Sequence, residues 1–309
     1  LFQVPRIEGA GLYWKPWLLG HEVAHIAVDA YDAVSAFDLA GKFDYAMASN
    51  LASPGVPDTA TPVQKRTALY NIARDWLTEL ICDAFAVRQY GPAGVAAIAE
   101  FSTTVGANSH LGKTHPPGLV RLKLAIEHLG PVTEPRLDLV VQPWKSLVLA
   151  ALPFPEQWCQ FLIGFFETNS ASIMDATSAW PASRYQWASR QNIITHVADR
   201  LVAGQPGDQL VRLNDGVVCA TDADHVNAAW IAHAEGADAP IDRLGRKGLD
   251  SLEFCRRWVE KGGEPPILLG DDPFDPEAVG SERGLLSERS LRRRMHPHCA
   301  DRLVVTPLL

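Results

Sequence analysis

The sequence predicts a mainly α-helical protein with little β-sheet. Apolar-rich runs of helical length stand between breaks rich in proline and glycine, whereas few short runs are typical of strands. The strand candidates are residues 1–7, a hairpin around Asn214, Asp215 and Gly216, and a strand at the C-terminal end. With 309 residues, 47% of them hydrophobic, the chain can bury a large core and form more than one domain.

The N-terminal part contains the strongest helix predictions. A first helix is expected over about residues 16–36, because Pro16 suits a first helical turn and the run that follows is apolar. After a turn-rich loop, a long helix is expected over about residues 62–90, up to the break YGPAG. Shorter helices are expected over about residues 93–103 and 119–129, with the loop GANSHLGKTHPPG between them.

The sequence changes in character after about residue 135, which predicts several domains. We expect a first domain over residues 1–135 and a helical accessory domain over residues 136–265. Residues 266–284 are rich in glycine, proline and acidic side chains, which is typical of a linker, and residues 285–309 combine a basic helix with a strand. The accessory domain is expected to hold helices near residues 155–168, 189–203, 222–235 and 249–261.

The composition excludes several classes of protein. A net charge of -8 and a pI near 5.7 argue against general nucleic-acid binding. No apolar run reaches the length of about 18 residues that a membrane span needs. The five cysteines are scattered without a CxxC pair, so we expect reduced thiols in a cytoplasmic protein. The chain starts at Leu1 rather than at methionine, and we expect it to be a segment of a longer protein.

Residues 17–32, WLLGHEVAHIAVDAYD, are an apolar run that contains the pattern H-E-x-x-H at His21, Glu22 and His25. Residues four apart lie on one face of a helix, so the two imidazoles can bind one Zn²⁺ ion. Glu22 lies about 100° round the helix, where it can take a proton from zinc-activated water and pass it to a leaving amine. Polar groups in such a run are costly unless they are paired or bind a metal.

The third zinc ligand is predicted on the long second helix. Glu79 and Asp83 share a face of that helix that is otherwise largely apolar, which is the wrong place for solvated charges. We expect Glu79 to bind the metal and Asp83 to hold a ligand histidine through its free ring N–H. The metzincin pattern is excluded, because Val28 and Tyr31 stand at its glycine and histidine positions. Asp29 is an alternative ligand, on the same stripe as His25.

These motifs resemble those of a known family. HExxH on one helix and ExxxD on the next are similar to the gluzincin zinc metallopeptidases, especially the heat-shock and CAAX-processing zinc endopeptidases. In that family a Thr-His-Pro-Pro loop and a helical arginine follow, and KTHPPGLVRLKL matches at Thr114, His115, Pro116, Pro117 and Arg121. That family has transmembrane helices and this chain shows none, so the resemblance implies the catalytic core, a zincin-like α+β fold with little sheet, and not membrane residence.

The loop leaves two interpretations of His115 open. His115 either approaches the metal and stabilises the oxyanion of the tetrahedral intermediate, or it caps the helix that starts near Pro117. Arg121 is expected to be structural and to pair with a buried acid such as Asp83. The remaining histidines have no ligand-like spacing, although a second metal site is conceivable at His296, His298 and Cys299.

The C-terminal residues resemble the start of dCTP deaminase and related dUTPase-like proteins. The match covers about 25 residues and no catalytic residue, and it implies fusion to a nucleotide-hydrolase-like domain and thus a possible nucleotide ligand. It consists of a helix with Leu286, Ser287, Arg289, Leu291 and Arg292, and a strand with Val305 and Pro307.

The function that these features favour is that of a zinc metalloendopeptidase acting on proteins or peptides, with His21, His25 and Glu79 as ligands and Glu22 and His115 as catalytic residues. One alternative keeps the zinc but not proteolysis, as a sensor or regulatory module fused to the nucleotide-hydrolase-like domain. Another is an enzyme of nucleotide metabolism in which the N-terminal part serves as a scaffold.

Overall fold

A computed structural model describes residues 14–104, 112–149, 154–178, 180, 187–205, 207, 210–213 and 216–237 of the chain. This part is mainly helical, which confirms the predicted class. The chain divides into two compact units, Leu1–Ser189 and Arg190–Leu309. The predicted strand at residues 1–7, the helix at 249–261, the linker, and the C-terminal segment with its histidines lie outside the described residues.

The first unit consists of helices over its described residues, and none of those residues forms a β-strand. Nothing described therefore corresponds to the small sheet that the zincin resemblance implies. The helices are α1 (Trp14–Ala30), α2 (Ala33–Phe37), α3 (Leu39–Lys42), α4 (Tyr45–Ala48), α5 (Pro62–Tyr90), α6 (Pro92–Thr104), α7 (Gly118–Leu129), α8 (Pro135–Leu149), α9 (Gln157–Thr168) and α10 (Ser170–Ala176).

The long helix α5 has the bounds that the sequence predicts, because both of its ends carry local signals. Thr61 and Gln64 form a capping box, in which each side chain accepts a hydrogen bond from the backbone N–H of the other residue. Pro62 occupies the first turn, where its missing N–H has no intrahelical partner to lose. Gly91 ends the helix at φ +56°, and a Cβ there would lie 2.6 Å from Cγ of Trp187.

The first helix is shorter than predicted. Instead of running over residues 16–36, α1 ends at Ala30, and α2 starts after a turn at Asp32. Asp32 has φ 49° and ψ 45°, the left-handed conformation, which interrupts the i to i−4 hydrogen bonds of a continuous helix. Aspartate adopts this conformation more readily than most residues, and the turn lets Ala33 and Phe37 reach the core.

The main apolar core joins α5 to α1 and α9. Trp76 of α5 is fully buried, with its ring centroid 6.0 Å from that of Trp158 and 6.4 Å from that of Phe166, both on α9. Ala24 and Val28 of α1 belong to the same cluster. These contacts hold α1 beside α5, and both helices carry predicted site residues.

A second apolar cluster shows that the first unit extends beyond the predicted boundary at residue 135. Helix α8 contributes Val141 to it, and α9 buries Leu162 in the main core, so both helices belong to the first unit. The apolar faces of these helices pack against other helices of the first unit. A change in composition along the sequence does not reveal such packing. The second cluster includes Ala86, Val87, Ile98, Ala99, Leu122, Ala125 and Val141.

The described part of the second unit contains two helices and a hairpin. They are α11 (Gln191–Val202), β1 (Leu210–Leu213), β2 (Gly216–Cys219) and α12 (Asp222–Ala234). The strands pair antiparallel, from Leu210 opposite Cys219 to Leu213 opposite Gly216, in agreement with the predicted hairpin. Both helices agree with the predictions for residues 189–203 and 222–235. None of the described helices has the length and hydropathy that a membrane crossing needs.

His128 at the end of α7 should make folding sensitive to acid. Burial lowers its pKa from 6.5 to about 4, although Nε2 lies 3.2 Å from the Ser170 carbonyl oxygen, and Nδ1 has no hydrogen-bond partner among the described residues. As the pH falls, His128 therefore becomes protonated in the unfolded chain before it does so in the folded chain. Its contribution to the free energy of unfolding is fully present above about pH 6.5, and up to about 3 kcal/mol of stability is lost as the pH falls toward 4.

Urea unfolding of the wild type and of His128→Gln between pH 7 and pH 4 tests this prediction. Glutamine keeps an N–H donor for the Ser170 carbonyl but does not titrate. We expect the free energy of unfolding to fall less steeply with acid in the variant. Equal pH dependence in the two proteins would contradict it.

Candidate metal centre

The site begins with the buried face of α1. His21, Ala24 and Val28 are buried and recur at intervals of three and four residues, so they lie on the face that contacts α5. Gly20 permits a close approach of the helices, since a Cβ at this position would lie 2.9 Å from Cε2 of Tyr90 at the end of α5. This contact places the imidazole of His21 against the second half of α5, which is apolar and almost wholly buried.

His21, His25 and Glu79 converge at this contact. Nε2 of His21 lies 3.3 Å from Oε2 of Glu79, and Nε2 of His25 lies 3.4 Å from Oε1 of the same carboxylate. One ligand atom from each of the three residues lies within 4.8 Å of the others. His21 and Glu79 are buried and His25 is half-buried, so the group opens to solvent on the side of His25.

The spacing of these atoms fits a small metal ion. Zinc binds nitrogen and oxygen ligands at about 2.1 Å, so neighbouring ligand atoms of a tetrahedral site lie about 3.4 Å apart. The two His–Glu79 distances of 3.3 and 3.4 Å, which run to different oxygens of the carboxylate, lie near that value, and one ligand atom from each of the three residues lies within 4.8 Å of the others. Two imidazoles and one carboxylate are also a donor set that binds divalent transition metals, zinc among them. The group could therefore hold a metal ion.

Asp83 and Arg121 lie behind the group and orient it. Oδ1 of Asp83 lies 3.0 Å from Nδ1 of His21, the ring nitrogen that faces away from Glu79. Arg121 donates from Nε and Nη2 to the two Asp83 oxygens at 2.7 Å, and its Nη1 lies 3.8 Å from Oε2 of Glu79. All four side chains are buried. The arrangement is the one expected of partners that fix a ligand histidine in one orientation.

Charges within the cluster set its protonation. Burial would raise the pKa of Asp83, but Arg121 and then His21 outweigh this and hold that pKa well below its usual range. Burial would likewise raise the pKa of Glu79, and His21 and Arg121 lower it. Both carboxyl groups are therefore ionised at neutral pH. His21 and Arg121 together thus favour the ionised form of Glu79, the form that can bind a metal.

The two histidines differ in the direction of their pKa shifts. Burial would lower the pKa of His21, but the contacts with Asp83 and Glu79 raise it. For His25, burial and the neighbouring His21 lower the pKa, although Glu79 and Glu22 oppose them. His25 is thus neutral at pH 7 and able to donate its lone pair. Because the raised pKa of His21 lets a proton compete more strongly with a metal ion, the metal affinity should rise with pH.

The other predicted residues lie at the edge of the group. Glu22 is half-buried and close enough to His25 for its charge to act on that imidazole. Nε2 of His115 lies 3.5 Å from Oε1 of Glu79, and its side chain is 62% exposed. Asp29, the alternative ligand, is exposed, and the three-residue group forms without it.

One contact near the site has no counterpart in the sequence analysis. Nε1 of Trp76, one turn before Glu79 on α5, donates to the carbonyl oxygen of Gly112 at 3.1 Å. It ties the loop before His115 to the helix that carries Glu79. A buried tryptophan near a candidate ligand suggests that its N–H has a partner, but no pattern in the sequence indicates which one.

Comparison of the chain with protein-family models, with curated proteins and with solved structures finds no match. The geometry itself shows that His21, His25 and Glu79 could hold a metal ion.

Proposed function

We propose that the first unit is a zinc-dependent peptidase that hydrolyses peptide bonds with activated water. The observation that carries this proposal is the convergence of His21 and His25 from α1 with Glu79 from α5, backed by Asp83 on the second nitrogen of His21. Structural zinc sites are commonly closed by four protein ligands, whereas catalytic sites keep a position open. Three candidate ligands and a half-exposed His25 favour the catalytic kind.

Each residue of the site has a separate role in the proposed peptide hydrolysis. Bound zinc would lower the pKa of a water molecule and polarise the substrate carbonyl. Glu22 follows His21 on α1 and is half-buried, so its carboxylate can accept the proton of the attacking water and return it to the leaving amine. His21, His25 and Glu79 hold the ion, and Asp83 keeps His21 in the orientation that binding needs.

The role proposed for His115 is to stabilise the transition state. Its Nε2 lies 3.5 Å from Glu79 on the exposed side of the group, where a peptide can enter. A donor at this position would stabilise the negative charge that develops on the carbonyl oxygen. The alternative role as a helix cap is not favoured, because Pro117 precedes the first residue of α7 and no side chain caps that helix.

Metal content and peptide hydrolysis test the proposal together. We expect the purified chain to bind about one zinc ion, to degrade a peptide library, to lose both properties with a chelator and to regain them with zinc. Glu79→Ala should lose the zinc and the activity, because the two histidines alone bind zinc weakly. Asp75→Ala is the matched control, since Asp75 is a partly exposed acid one turn earlier on α5 that contacts Arg74.

The outcomes separate the alternatives. A chain that binds no zinc contradicts the site, and so does zinc that is retained in full by Glu79→Ala. A chain that binds zinc through Glu79 but hydrolyses no peptide contradicts the peptidase and favours a non-proteolytic zinc module.

A further inference from the structure

Thr114 makes a hydrogen bond to the imidazole of His115. Its Oγ1 lies 2.8 Å from Nδ1 of His115, the next residue in the chain. The other ring nitrogen, Nε2, lies 3.5 Å from Oε1 of Glu79. The ring of His115 thus bridges an exposed hydroxyl and the buried carboxylate of the candidate metal group.

The chemistry of these partners selects one tautomer of His115. A neutral imidazole has one N–H donor and one acceptor nitrogen, and a carboxylate only accepts hydrogen bonds. The N–H therefore belongs on Nε2, where it faces Glu79, and Nδ1 is left to accept. A threonine hydroxyl is able to donate, and the hydrogen bond at one ring nitrogen decides which nitrogen carries the proton.

We propose that Thr114 is a positioning residue: its hydroxyl donates to Nδ1 of His115 and so holds the N–H on Nε2, aimed at the candidate metal group. The proposal rests on the function proposed above, in which His115 stabilises the transition state. The opposite tautomer presents a lone pair to the developing oxyanion and repels it. Loss of a single oxyanion donor lowers kcat by about 100-fold or more in other hydrolases.

The described part of the loop that carries both residues, 112–117, is held by contacts on either side of them. Nε1 of Trp76 donates to the carbonyl of Gly112, and a Cβ on Gly112 would lie 2.7 Å from the carbonyl oxygen of His115, so the loop turns tightly between them. After His115 come Pro116 and Pro117, both buried, whose rings restrict the backbone. With the backbone held by these contacts, one hydroxyl can set the direction of the imidazole.

The test compares Thr114→Val, which has the same shape but no donor, with Thr114→Ser, which keeps the hydroxyl. Nitrogen NMR of the full chain with labelled histidine, with and without zinc, reports the tautomer of His115, whose signals are assigned from His115→Ala. We expect the Nε2–H tautomer in the wild type and in the serine variant, and a mixture in the valine variant. Thr103→Val, an exposed threonine at the end of α6, is the matched control.

Kinetics in two backgrounds complete the test. Thr114→Val should lower kcat by about 10-fold or more with little change in KM, and it should have no further effect in His115→Ala. An unchanged tautomer in Thr114→Val, or an equal loss of activity in both backgrounds, would overturn the proposal. If no form of the chain hydrolyses peptides, the proposed function fails, and the NMR comparison still decides whether Thr114 sets the tautomer.

Discussion

Glu22→Gln is expected to abolish peptide hydrolysis while the chain retains its zinc. Glutamine has nearly the same shape as glutamate, but its amide cannot accept a proton from the attacking water. General base catalysis contributes about 100-fold to 10,000-fold in enzymes, so kcat/KM should fall by at least about 100-fold. Glu22 lies beside the metal group and not in it, and the zinc content per chain should therefore match that of the wild type.

The matched control is Asp29→Asn. Asp29 lies seven residues after Glu22, two turns along nearly the same face of α1, and it is exposed. The same chemical change at this position should leave both zinc content and kcat/KM within about twofold of the wild type. Activity that survives in Glu22→Gln would refute the assigned general base. Zinc lost from Asp29→Asn would revive the alternative ligand.

The parts that could be predicted from the sequence are those with local signals. Helix α5 has strong start and stop residues in Thr61, Pro62 and Gly91, and its predicted bounds agree with the structure. Glu79 and Asp83 stood out because carboxylates on an apolar helix face are costly, and both are indeed buried. Their burial is observed, whereas their roles in binding or orienting a metal remain predictions.

The parts that could not be predicted depend on contacts between distant segments. The break at Asp32 needs a left-handed residue that a periodic apolar pattern does not reveal. The place of α8 and α9 in the first unit depends on which apolar faces cover each other, and composition alone suggested a boundary at residue 135. The hydrogen bond of Trp76 to Gly112 joins residues 36 positions apart, and the hydroxyl of Thr114 matters only once His115 has been placed.

Arg121→Met should be the most destabilising single change in the cluster. Arg121 is buried, donates twice to Asp83 and lies near Glu79, so its removal leaves two buried carboxylates without their cation. Removing one partner of a buried ion pair costs about 3–5 kcal/mol. Methionine keeps much of the apolar volume, so the loss reports the charge rather than a cavity. Urea unfolding in the presence of a chelator measures it without the contribution of bound metal.

Two further variants show whether the charge is responsible. Lys123→Met removes a cation two residues later on the same helix, where the partner Glu167 is partly exposed, and should cost at most about 1 kcal/mol. Combining Arg121→Met with Asp83→Asn should cost less than the two single changes added together, because the amide leaves no buried charge at that position. A loss in Arg121→Met as small as that in Lys123→Met would mean that the buried carboxylates do not depend on Arg121. The same outcome would leave His21 as the main reason for the lowered pKa of Glu79 in the proposed zinc site.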